Sequence, residues 1–160
     1  MEFSSLGELA LHLAAISAAH QHHMHEGLEK CAKRIEETAK AEIGTYQSAV
    51  GPFPAWDQLA DSTEQQKAQK GYPADSPLLA SGDMRDSIEH VVRGHEAVIG
   101  AKDKKMVYHE FGTNKIPPRP VFGPALFRNK EFILRTIGRA AVSGLVGGQN
   151  IVPGLGYDGD

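Results

Sequence analysis

Along the first forty-odd residues, positions Leu6, Leu9, Leu13, Ile16, His20, Met24, Leu28, Cys31, Ile35, Ala39 and Ile43 recur at steps of three or four and, apart from His20, are apolar. That spacing predicts one long amphipathic helix. Ser4 or Ser5 can cap its start, Glu8 stands at capping-box distance from Ser5, and Gly44 can end it. At about 1.5 Å per residue such a helix exceeds roughly 50 Å. A domain this small does not cover that length with its own core, so part of the helix is expected to pack on another copy. Gly27 and the polar run from His20 to His25 leave a break into two helices open.

From 45 to 77 the pattern gives way to Gly, Pro, Ser and polar residues, the mark of a long connection. Within it, Asp61 to Gly71 carries a capping Asp or Ser, strong helix formers and a final Gly, which predicts a short exposed helix. A loop of this length needs anchors to stay with a compact fold, and Trp56 and Leu59 are expected to supply them. The stretch Leu78 to Asp86 turns the chain. Ser87–Arg93 and Glu96–Gly100 then read as two strands joined at Gly94-His95, a hairpin. Lys105 to Gly112 fits either a third strand or a turn of helix. A second amphipathic helix is expected from Gly123-Pro124, with Leu126, Ile133, Ile137 and Ala140 on one side. The expected fold class is α+β. It comprises a long amino-terminal amphipathic helix, a small antiparallel hairpin sheet and a second helix in a single domain 1–143, followed by a Gly-rich arm 144–160.

Charge adds a feature the apolar pattern does not show. The chain of 160 residues has a net charge of −3, yet residues 1–84 hold 6 Lys/Arg against 12 Asp/Glu, while residues 85–139 hold 11 against 6. A basic second half could face nucleic acid, but its cations are spaced singly rather than interleaved with aromatics. An acidic partner subunit explains them equally well. No run approaches the ~18 apolar residues of a membrane span, and the start Met1-Glu2-Phe3 lacks the basic region of a secretory signal, so a cytoplasmic site of synthesis and no membrane partner are expected. Cys31 is the only cysteine, which excludes an internal disulfide and multi-thiolate zinc, and it reads as a small core residue.

Motifs for catalysis fail on inspection. Five histidines lie between residues 12 and 25, but the pairs His20/His23 and His22/His25 point in directions about 200° apart, with only Glu26 as an acidic neighbour. His109-Glu110 begins like the HExxH of zinc proteases, yet position 113 is Thr, and the second ligand is missing. Neither GxSxG nor a phosphate-cradling GxxxxGK[ST] or GxGxxG loop occurs. No enzyme activity, cofactor or metal is expected.

The most specific stretch is Tyr108-His109-Glu110-Phe111-Gly112-Thr113, followed by Pro117-Pro118-Arg119-Pro120-Val121-Phe122-Gly123-Pro124. Upstream, Trp56-Asp57-Gln58-Leu59, Thr63, Lys67, Gly71 and the segment Leu78-Leu79-Ala80-Ser81-Gly82-Asp83-Met84 to Ile88 follow in order. Together they resemble the tailed-bacteriophage family of neck, tail-completion or virion-morphogenesis proteins over most of residues 50–130. Met84 and Val121 stand where Leu and Phe are commoner in that family. The resemblance implies a structural virion protein at the head-tail junction, assembled in the host cytoplasm as a hexameric or dodecameric ring. Its implied neighbours are connector or stopper, tail-terminator or tail-tube proteins. Double-stranded DNA would pass through the bore with non-specific contacts at most. The other reading kept open is a non-specific nucleic-acid-binding module using the basic 85–139 region.

Physically, three prolines fix their φ angles and extend the residues before them, giving a stiff strap that loses little entropy on docking. Tyr108, Glu110, Phe111, Gly112, Pro117, Pro118, Arg119, Pro120 and Phe122 are the expected docking residues. Trp56, Leu59, Leu79 and Gly82 are the expected loop anchors. Tyr108 and Phe111 serve as apolar anchors about a Gly112 turn, and Arg119 is expected to pair with a carboxylate, either Glu110 or one on a neighbouring subunit.

Overall fold

The computed structural model describes residues 5–145. The expected carboxy-terminal arm lies outside them, apart from its first residues. The order of elements is α1 (Leu6–Glu42), α2 (Asp61–Gln69), α3 (Asp83–Asp86), β1 (Ile88–Arg93), β2 (Glu96–Ala101), α4 (Lys105–Phe111), α5 (Phe122–Arg128) and α6 (Lys130–Leu145). The fold is α+β, with a two-stranded sheet formed by the hairpin β1-β2.

Helix α1 runs unbroken for 37 residues. Ser5 caps it, its Oγ accepting the Glu8 backbone N–H at 3.2 Å, and Gly44 follows its end with φ 98°. Contacts divide the chain into two units. One holds residues up to Cys31, Val92–Ala97 and the chain from Glu131. The other holds Ala32–Val91 and Val98–Lys130.

In the first unit, α1 and α6 approach at small residues. A Cβ placed on Gly27 would lie 2.9 Å from the Ala140 Cβ, and one on Gly144 would lie 2.5 Å from the His20 Cα. Gly27 therefore does not break the helix. It gives up some helix propensity so that α6 can approach. Cys31 is buried, as expected of a core residue, with Thr136 beside it; burial pushes its thiol pKa up.

In the second unit, Ala32, Ile35, Ala39 and Ile43 continue the buried stripe of α1, and Trp56, Met84, Ile88, Met106, Val121 and Ala125 complete a core. Val91 and Val98, the hairpin residues of this unit nearest the Gly94-His95 turn, are both exposed. Helix α2 has no buried residue, in line with its polar sequence. Its N-cap is Ala60, without a side-chain hydrogen bond, so Asp61 and Ser62 belong to the first turn rather than to the cap.

Two sequence expectations are settled or revised here. Lys105 to Phe111 is helix, not strand. The second amphipathic helix is two helices: Asn129 (φ −97°, ψ 7°) separates α5 from α6. Its buried side chain donates to the Ala125 carbonyl at 2.8 Å and to Thr38 Oγ1 at 2.8 Å, while Oδ1 accepts from Arg34 Nε at 3.4 Å. An amide that satisfies backbone and neighbours at once competes with helix continuation. Leu126 is exposed, whereas Ile133 and Ile137 are half-buried and Ala140 is buried.

Candidate docking site

The docking segment is built on α4. Gly112 ends that helix at φ 73°, ψ 175°, a conformation that favours glycine. A Cβ there would also lie 2.9 Å from Pro118 N and 3.0 Å from the Ile116 carbonyl oxygen. Thr113, the residue that spoils the protease motif, closes the next turn. Its N–H donates to the Ile116 carbonyl at 2.8 Å, and its Oγ1 accepts the N–H groups of Lys115 and Ile116, each at 3.2 Å. The strap then returns against α4: Arg119 N–H donates to the His109 carbonyl at 2.6 Å, and Val121 N–H donates to Glu110 Oε2 at 2.8 Å.

Arg119 departs from its expected role. It is 5% exposed, and its guanidinium pairs with no carboxylate among the described residues. Nη2 donates instead to the backbone carbonyls of Asp57 (2.9 Å) and Gln58 (3.3 Å), while Nε is buried without a partner among the described residues. Glu110, the carboxylate expected to receive it, is used by Val121 N–H. Trp56 completes the arrangement from the loop side: its Nε1 donates to the Pro120 carbonyl at 3.2 Å and its N–H to the Gln47 carbonyl at 2.9 Å. Arg119 and Trp56 thus fasten the strap to the long loop, with charged and neutral hydrogen bonds respectively.

The apolar residues of α4 point the other way. Val107 and Tyr108 are 56% exposed and Phe111 is 79% exposed. They do not anchor this chain's own core; Met106, on the opposite side, does. Pro117 and Pro118 are exposed, while Pro120 and Phe122 are half-buried. His109 lies inward. Burial, and then the Arg119 guanidinium, lower its pKa below the usual imidazole value, so it is neutral at pH 7.

Of the expected loop anchors, Trp56 and Gly82 are buried, and Leu59 and Leu79 are half-buried. Leu59 N–H donates to the Tyr46 hydroxyl at 3.1 Å. Leu79 packs over Gly44, where an added Cβ would lie 3.1 Å from its Cδ2. Gly82, at φ 96°, precedes α3.

Three residues that the sequence reading passed over matter here. Glu42 is buried, neither carboxylate oxygen has a hydrogen bond among the described residues, and Arg128 Nη1 stands 3.4 Å away. Burial pushes its pKa up to about 7; Arg128 pulls the other way and the Glu110 carboxylate adds to the rise. The signal was present, because Glu42 falls between Ala39 and Ile43 on the buried stripe. Arg128 also donates to Gln47 Oε1 at 2.7 Å. Asn129 is the third, described above.

The amino-terminal histidines do not converge. His22 and His23 both face Glu26, at 3.5 and 3.9 Å, and no group of three potential metal ligands occurs among the described residues. No described helix is long and apolar enough to cross a membrane. Comparison of the chain with protein-family models, with curated proteins and with solved structures gave no match.

Proposed function

We propose that the chain is a structural subunit of the head-tail junction of a tailed bacteriophage, working as one copy in a closed ring. The observation that carries this reading is the exposed apolar face Val107, Tyr108 and Phe111, held on a helix fastened to the proline strap through the His109 carbonyl and the Glu110 side chain. Rigid apolar residues offered to solvent lose little conformational entropy when a partner covers them. A ring joins each copy to the next by the same head-to-tail contact, and this face is the side one copy offers to its neighbour. The virion location rests on the resemblance of most of residues 50–130 to neck and tail-completion proteins.

The basic region supports a nucleic-acid module less well, because many of its cations already have partners. Arg119 is buried on carbonyls, Arg128 faces Glu42, Lys102 lies 2.7 Å from Glu89, and Arg85 lies 2.9 Å from Asp86. The test is complementation of particle assembly with the double variant Tyr108→Asp/Phe111→Asp. Both positions are exposed, so the variant is expected to fold and to leave heads and tails unjoined. Normal yields of joined particles would remove the proposal.

A further inference from the structure

Beside the strap lies a cavity of about 490 Å³ between the long loop, the Leu78–Ala80 turn and the Lys115–Arg119 segment. Its walls are apolar, formed by Leu59, Leu78, Leu79, Ile116 and Pro117. Its polar lining is lopsided: Lys67, Lys115 and Arg119 contribute cations, and no acidic side chain among the described residues lines it. Arg119 sharpens the point. Among the described residues its buried guanidinium donates to two backbone carbonyls and retains an unpartnered Nε. A buried cation without a counter-charge is costly, and a cavity that keeps one is suited to a ligand that brings the negative charge with it. The apolar walls require that charge to come on an apolar stem.

We infer that the cavity receives the acidic-apolar segment Leu155-Gly156-Tyr157-Asp158-Gly159-Asp160 of a second copy of the chain. Residues 146–160 contain Asp158 and Asp160 but no Lys or Arg, and Leu155 and Tyr157 immediately precede the acids. Charge and apolarity therefore match the cavity in kind. From Leu145 the chain to Asp158 can span up to roughly 40 Å when extended, enough to reach an adjoining copy. The exchange rests on the ring reading above, in which each copy presents a donor on one side and an acceptor on the other.

The experiment mixes two full-length proteins, Ala80→Cys, on the exposed rim of the cavity, and Gly159→Cys, under mild oxidation. Neither change removes a charge, and the native Cys31 is buried. A disulfide-linked dimer of one with the other is expected. Its yield should fall about tenfold when Asp158→Asn/Asp160→Asn is added to the donor, or Lys115→Ala to the acceptor, the loss of one to two units of charge-assisted bonding. A yield no greater than that of Gly159→Cys with Lys33→Cys, an exposed position on α1, would overturn the inference, as would a dimer indifferent to the Asp changes. Native mass measurement of the unmodified protein separates this from the ring reading. Closed rings without the crosslink would sink the exchange alone, and a charge-dependent crosslink without closed rings would sink the ring alone.

Discussion

Glu42→Gln isolates one buried charge whose cost can be worked out. The carboxyl has a folded pKa of about 7 against a usual 4.5, because burial outweighs the pull of Arg128; among the described residues its oxygens accept no hydrogen bond. The folded chain therefore holds a proton at pH values where the unfolded chain has released it. This contribution is fully present below pH 4.5 and is lost as pH rises through 7. A difference of roughly 2.5 units at 1.36 kcal/mol each makes the loss about 3 kcal/mol, a large part of a typical domain's stability. The glutamine variant carries no such proton. Urea unfolding of both proteins from pH 4.5 to 8.5 should show near-equal stability at the acid end and a gap opening toward pH 8.5, where the variant is the more stable by up to about 3 kcal/mol. Glu36 and His109 contribute slopes of the opposite sign. Burial raises the pKa of Glu36, but hydrogen bonds from Lys40 and His90 outweigh it and hold the carboxyl low, while His109 is held neutral. Both sites are present in each protein, so the difference between the two curves cancels them. Parallel curves, or a variant less stable at pH 8.5, would refute the reasoning.

Arg119→Ala should destabilise the protein by about 2–3 kcal/mol in denaturant unfolding, since it strands the Asp57 and Gln58 carbonyls that the guanidinium now satisfies; an unchanged midpoint would contradict that role. Gly27→Ala should cost about 1–3 kcal/mol by overpacking against Ala140, and Ala140→Gly in the same chain should recover part of the loss, a coupling that a double-mutant cycle measures directly. Asn129→Ala should lower stability by about 2 kcal/mol through the stranded Ala125 carbonyl and the lost contact to Thr38, with an unaltered thermal midpoint counting against it.

Periodicity and the residues at their ends made α1 and the hairpin legible in the sequence, and the run of helix formers before Gly71 did so for the exposed helix α2, although Ala60 rather than Asp61 or Ser62 stands at its N-cap. What escaped depends on partners distant in the chain. Gly27 looks like a weak point until Ala140 is placed against it. The Asn129 break is set by Thr38 and Arg34, some ninety residues away. The neighbours of Arg119 in sequence suggest a carboxylate partner, yet its partners are carbonyls at Asp57 and Gln58, which no local pattern announces. Within the docking segment the Gly112 turn was readable from residue type. The outward direction of Tyr108 and Phe111 was not, since seven residues of helix permit either face to be buried.

The central claim is that copies of this chain close a ring through the face Val107, Tyr108 and Phe111. A cryo-electron microscopy map of the neck of the assembled particle tests it most directly. The expected result is a closed ring of this fold between head and tail, with those three side chains buried against the adjoining copy. A neck without this fold, or a ring that leaves the three exposed to solvent, would contradict the claim.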